Sequence, residues 1–126
     1  MGQGILADSN YVIDYLDNKL PENAVRLLES NRVDLSVINR IELLAWQAAT
    51  LEQINNLEGF ISNCIIHSLS EKIILKTIEI RKNFHLKLPD AIIAATALTH
   101  SLILYSRNIT DFSKVPGLKV INPHTL

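Results

Sequence analysis

Four carboxylates, Asp8, Glu42, Asp90 and Asp111, stand where apolar runs end or helix-like stretches open. Asp8 closes Gly4-Ile5-Leu6-Ala7-Asp8, and Glu42 lies just beyond Asp34-Leu35-Ser36-Val37-Ile38. Asp90 opens the helix-like Leu88-Pro89-Asp90-Ala91-Ile92-Ile93-Ala94-Ala95-Thr96-Ala97. Asp111 ends Ser106-Arg107-Asn108-Ile109-Thr110-Asp111, shortly after the strand-like Leu102-Ile103-Leu104. Few other ionisable groups accompany them, which fits a hard-cation site better than a surface charge run. Magnesium prefers oxygen ligands and keeps several waters for exchange with substrate. A divalent ion held by carboxylates generates a nucleophilic water and neutralises phosphoryl oxygens, often as a pair of ions about 3.5–4 Å apart. Acids gathered without the ion repel one another, so at least one should have a raised pKa.

Each acid also has a purely structural reading. Asp8 can cap the short helix that follows it, since Asp is a favoured cap. Glu42 reads as a first-turn acid on a helix, favoured by the helix dipole, with Arg40 near enough to pair with it. Asp90 directly after Pro89 is another favoured first-turn acid, although the helix around it is almost wholly apolar. Asp111 beside Phe112 can belong to an ordinary turn.

The elements that must position these residues follow from composition and periodicity. With 126 residues, 48% of them apolar and 20% charged, the chain reads as one globular domain over 1–126 with a substantial core. No apolar run approaches the roughly 18–20 residues of a membrane span, and the N-terminus lacks the pattern of an export signal. Cys64 is a single cysteine with no internal partner and reads as a small buried hydrophobe. A cytoplasmic protein with no membrane association is the expectation. A net charge of −1 argues against a broad nucleic-acid surface of the histone kind but leaves room for a local one. Lys72, Lys76, Arg81, Lys82 and Lys87, set against Glu71 and Glu79, form a stretch that could touch phosphates, although a solvated helix face is the commoner reading of such a mixed pattern.

Apolar runs alternate with helix-period segments, the signature of βα units around a largely parallel sheet. Strands are predicted at 5–7, 35–38, 64–66, 102–104 and 118–121, and helices at 11–16, 21–28, 40–49, 51–61, 71–82 and 89–99. In open parallel sheets ligands bind at the carboxyl ends of the strands. Asp8, Glu42 and Asp111 fall there directly, and a helix N-terminus can bring Asp90 to the same rim.

The chain resembles the PIN-domain ribonucleases of the VapC toxin type. The resemblance is carried by Leu6-Ala7-Asp8-Ser9-Asn10 with Ile13, and by Ser36-Val37-Ile38-Asn39-Arg40-Ile41-Glu42-Leu43. It continues through Leu88-Pro89-Asp90-Ala91-Ile92-Ile93-Ala94-Ala95-Thr96-Ala97 and Leu104-Tyr105-Ser106-Arg107-Asn108-Ile109-Thr110-Asp111-Phe112, then Val115-Pro116-Gly117-Leu118-Lys119-Val120-Ile121-Asn122-Pro123. These blocks span essentially the whole chain in family order. The resemblance implies a three-layer α/β/α fold with a central, mostly parallel five-stranded sheet. It implies Asp8, Glu42 and Asp90 as metal-binding acids with Asp111 as the least uniform fourth, and Mg2+ or Mn2+ as cofactor. In that scheme Asp8 binds the principal ion, Glu42 and Asp90 complete its ligands, and Asp111 holds a second ion or a ligating water. Ser9 and Ser106 stand where the family usually has Thr; both keep a hydroxyl able to bond a carboxylate or phosphate. Asn10 and Asn108 match polar positions near the metal, with a helix cap as the other reading of Asn10.

The implied activity is endoribonucleolytic: water attacks phosphorus in line, leaving a 5′-phosphate and a 3′-hydroxyl on transfer or ribosomal RNA. The implied partners are a cognate antitoxin and a second copy of the chain, and Trp46 with Leu43 and Leu44 can face either one or the core. A PIN-like module that binds RNA or protein without cleaving, and an RNA-processing nuclease outside any toxin–antitoxin pair, are the alternatives. A phosphoacceptor receiver domain fits poorly, because Ser9 and Asn10 follow Asp8 and the third strand ends in His67. An aspartyl-phosphate phosphatase would need an acid where Asn10 stands, and no Gly-rich phosphate loop with a following Lys occurs. His67, His85, His100 and His124 lack metal-ligand spacing and read as structural or surface residues.

Overall fold

The computed structural model describes residues 4–126. Five strands, β1 (Ile5–Ala7), β2 (Val33–Ser36), β3 (Ile65–His67), β4 (Ile103–Tyr105) and β5 (Val120–Ile121), form one sheet in the order β3-β2-β1-β4-β5. Every pairing is parallel, from Ile5↔Val33 and Ile5↔Ile103 at the centre to Leu104↔Val120 at one edge. The helices are α1 (Ser9–Leu16), α2 (Glu22–Ser30), α3 (Val37–Leu44), α4 (Leu51–Ser62), α5 (Glu71–Asn83), α6 (Leu88–Thr99) and the short α7 (Ile109–Phe112). No helix among the described residues is long and apolar enough to cross a membrane.

Strand alternation divides the core in two. Ile5, Ala7, Val33, Leu35 and Tyr105 pack with Tyr11, Val12, Ala24, Leu28, Leu43, Leu57 and Ile61 on one face. Leu6 and Leu104 point the other way, against Ile73, Ile80, Leu86, Phe112 and the apolar run of α6. A sheet buried on both faces needs near-continuous apolar strands; β1 and β4 supply them at the centre, whereas β2 alternates and buries the polar Asp34 and Ser36. The result is the expected three-layer α/β/α architecture, with a sheet that is parallel throughout.

The largest departure from the predicted elements is at the β2–α3 junction. Val37 and Ile38 are apolar and β-branched and read as strand, yet α3 begins at Val37. Ser36 accepts from the Ile38 amide, while the Asn39 side chain accepts from the Ser36 amide, a reciprocal capping box that ends the strand. Because α3 starts three residues early and stops at Leu44, Glu42 lies in its second turn and not its first. Arg40 and Glu42 then point apart, as residues two apart on a helix must, and the expected ion pair gives way to a bond from Ser9. Pro21 is the cap of α2 and not its first helical residue. Asn108 caps α7, a helix that replaces the ordinary turn expected around Asp111.

Cys64 is half-buried, its thiol pushed up to about 11 by burial and the nearby Asp34 charge. Three of the histidines have structural ties. His67 Nε2 lies 2.6 Å from Asp34 Oδ2 and its ring stacks on His100 at 4.0 Å, and His124 bonds Asp14. Asp34 itself is fully buried and also takes two bonds from Arg32, at 2.8 and 3.0 Å. This knot ties β2 to β3 and to the end of α6. Removing one member of a buried charged group costs far more than the net worth of the pair. Asp34→Ala should therefore lower urea-unfolding stability by roughly 3 kcal/mol, against little change for a surface acid such as Glu58→Ala.

Candidate active site

The sheet order reverses direction at β1: β2 lies on one side of it and β4 on the other. The crevice between the carboxyl ends of β1 and β4 is thus the topological switch point, where open α/β sheets bind ligands. Asp8 and Ser106 are the residues immediately after these two strands. The Asp8 amide donates to the Tyr105 carbonyl, and the Ser106 hydroxyl donates to Asp8 Oδ2 at 2.7 Å. Asp8 Oδ1 accepts from the Ser9 amide at 2.8 Å and makes a marginal 3.5 Å contact with Asn39 Nδ2. Asp8 is therefore the cap of α1 as well as an oriented carboxylate; the two readings of this residue coincide. It is only 8% exposed, yet a carboxylate has about four acceptor sites, so capacity remains for an ion.

Ser9 links the second acid to the first. Its hydroxyl donates to Glu42 Oε1 at 2.9 Å and accepts from Asn39 Nδ2 at 3.2 Å. Asn39 is fully buried and spends its oxygen on the α3 cap, so its amide group is fixed between Asp8 and Ser9. Asn39 is the main site residue that the acid-based reading missed. Its signal was present in the Ser36-x-x-Asn39 spacing, a variant of the capping box just ahead of Glu42.

Asp90 lies in the first turn of α6, half-buried, with no hydrogen bond to its carboxylate among the described residues. Burial raises its pKa first, and the charges of Asp8, Asp111 and Glu42 raise it further against a smaller opposing effect of Lys87. Asp90 thus lies within the field of the other three predicted acids. Asp111 is held differently: Asn108 donates to its Oδ2 at 3.2 Å, Lys114 sits 3.3 Å from Oδ1, and both draw its pKa down. Ser106 joins the two halves, bonding Asp8 with its proton and accepting the Asn108 amide at 3.0 Å.

Among the described residues no three His, Cys, Asp or Glu side chains stand close enough together to ligate one ion directly. The donor set nonetheless fits a hard divalent cation. It is all oxygen, one carboxylate is unpaired under the repulsion of three others, and Asn10 Oδ1 is buried without a donor one residue from Ser9. Asn10 follows the Asp8 cap inside α1 and does not itself cap the helix. Leu43 is wholly core, while Leu44 is partly exposed and Trp46 is half-buried beside Ile13 and Leu16. An ionised Asp90 with a raised folded-state pKa destabilises the fold above that pKa, and the penalty disappears as pH falls through it. In EDTA at pH 7, Asp90→Asn should raise the melting temperature by about 1–4 °C. The gain over wild type should shrink as pH is lowered into the carboxylate range.

Comparison with known proteins agrees with this fold. The PIN domain family matches residues 5–118. A search of curated proteins finds no match. Among solved structures, the chain is similar to a toxin–antitoxin complex from Klebsiella pneumoniae, with 32% identity and a TM-score of 0.77 over 94% of this chain and 97% of that one. It is similar to DNA-bound VapBC from Salmonella typhimurium, with 25% identity and a TM-score of 0.78 over 95% and 98% of the two chains. A third likeness is FitAcB from Neisseria gonorrhoeae, at 27% identity and a TM-score of 0.74 over 97% and 99%. With the family match spanning most of the chain and these likenesses covering nearly all of it, the chain belongs to the PIN-domain family and is of the VapC type.

Proposed function

We propose that the protein is a divalent-metal-dependent endoribonuclease and the toxin of a toxin–antitoxin pair. The observation that carries this reading is Asp8: a nearly buried carboxylate, both oxygens oriented by Ser106 and the Ser9 amide, at the switch point within the field of an unpaired Asp90. Asp8, Glu42 and Asp90 would hold the cation, Mg2+ or Mn2+, with Asp111 on its outer side. When bound, the cation supplies an activated water and neutralises charge on the phosphoryl oxygens.

The chain's own residues perform the orientation. Ser106 fixes Asp8 Oδ2, Ser9 holds Glu42 against the same edge, and Asn108 with Lys114 keeps Asp111 ionised. Hydrolysis in this frame forms a bond from water oxygen to phosphorus and breaks the bond to the 3′-oxygen, which takes a proton. The products are a 5′-phosphate and a 3′-hydroxyl, and an RNA substrate, transfer or ribosomal, places the protein in the cytoplasm.

The partner proposed is a cognate antitoxin, supported by likeness to chains of toxin–antitoxin complexes. Leu44 and Trp46, at and just past the end of α3, are the partly exposed apolar side chains proposed to meet it. A homodimer is proposed as well, since α5 exposes Ile74, Leu75 and Ile78 beside its lysines, more aliphatic surface than a solvated helix face carries.

The test is cleavage of total transfer RNA and ribosomal RNA in Mg2+, in Mn2+ and in EDTA, with mapping of the cut ends. Asp8→Asn should lose at least about 100-fold in rate, and Ser106→Ala about 10–100-fold, as expected for loss of an orienting bond to a ligand. Cleavage that persists in EDTA or in Asp8→Asn would refute the proposal.

A further inference from the structure

The rim chemistry leaves one buried acid of α1 unused. Asp14 is 6% exposed and lies six residues past Asp8, about 9 Å further along the helix. His124, in the 3-10 turn Pro123–Thr125 near the C-terminus, approaches Asp14 Oδ2 with Nε2 at 2.8 Å. Arg107 Nε stands 3.7 Å from the same oxygen, too far for a hydrogen bond but close enough to be held by charge. The bland reading is that Arg107 merely balances a buried carboxylate. His124 already serves that oxygen at bonding distance, and among the described residues the Arg107 guanidinium makes no hydrogen bond at all. Its side chain is 54% exposed, so its donors are oriented by Asp14 but remain unspent.

Its place in the chain gives that orientation a purpose. Arg107 sits between Ser106, which holds Asp8, and Asn108, which holds Asp111. A rim of four carboxylates repels an RNA backbone, so a cation must draw the phosphates in. Lys114 is already engaged with Asp111. A guanidinium fork matches phosphate geometry better than an ammonium does. The pull of Asp14 sets the fork toward the far half of α1, away from the point of cleavage.

We propose that Arg107 grips an RNA phosphate flanking the one cleaved, with Asp14, itself held by His124, as the positioning residue that keeps the guanidinium to the α1 side of the rim. This inference rests on the nuclease reading above. The test uses the full chain and a fluorescein-labelled single-stranded RNA of mixed sequence. Kd is measured in EDTA across a salt series, and KM and kcat in Mg2+, with melting temperature as the folding control. Arg107→Gln should raise Kd and KM about tenfold with kcat nearly unchanged, and the salt slope should fall by about 0.7. Arg107→Lys should restore the slope but only part of the affinity. Asp14→Asn should also raise KM, although deletion of an acid would by simple electrostatics tighten RNA binding. Unchanged Kd, KM and slope in Arg107→Gln, beside a wild type that cleaves, would overturn the inference and leave the nuclease intact. Tighter binding in Asp14→Asn would overturn the positioning role. A wild type that neither binds nor cleaves RNA would overturn both readings together.

Discussion

A carboxylate taken almost out of water must have its oxygens satisfied, or the protein will not hold it there. Asp8 meets that demand with three donors from three elements: the Ser9 amide at the start of α1, the Ser106 hydroxyl after β4, and the more distant amide of Asn39 on α3. These partners exist only if β1 and β4 are neighbours and α3 starts where its capping box puts it. The central parallel pairing, the early break of β2 and the loop after β4 therefore all converge on one side chain. The apolar layers on either side of the sheet supply the stability, and the Asp8 contacts decide what the carboxyl edge can do.

Around that fixed point the remaining acids are arranged by contrast. Glu42 is tethered through Ser9, and Asp111 is quieted by Asn108 and Lys114. Asp90 is left without a partner, at a helix N-terminus whose dipole favours an acid, while burial and three like charges oppose its ionisation. A carboxylate left in this condition gives up some stability, which the proposed cation would restore. Asp34 shows the opposite treatment, since Arg32 and His67 satisfy it fully and it serves only to tie strands together.

Legibility in the sequence followed the strength of local signals. Helices α4, α5 and α6 lie within a residue or two of their predicted bounds, because Thr50, Ser70 and Pro89 mark their starts and their apolar faces keep helical spacing. Strand β1 was legible to the residue, bounded by Gly4 and Asp8. Val37 and Ile38 misled because β-branched residues favour strands, while the competing cap from Ser36 to Asn39 is a local device only four residues long. Helix α7 is a single turn, too short for any period to show. The four acids could be read as a set, and the resemblance named Ser9, Ser106 and Asn108 beside them, but which acid each one orients could not be read. The Ser106–Asp8 bond joins residues 98 apart in sequence, and the burial of Asp14 and Asp34 depends on contacts that no spacing encodes.

The most direct measurement is crystallographic: anomalous diffraction from crystals of this protein soaked in Mn2+, with refinement of the ion's ligands. The expected result is an ion at the carboxyl ends of β1 and β4, with oxygens of Asp8, Glu42 and Asp90 drawn in to about 2.1 Å and Asp111 reached directly or through water. An anomalous peak elsewhere, or none at ion concentrations that support activity, would contradict the assignment of this rim as a cation site.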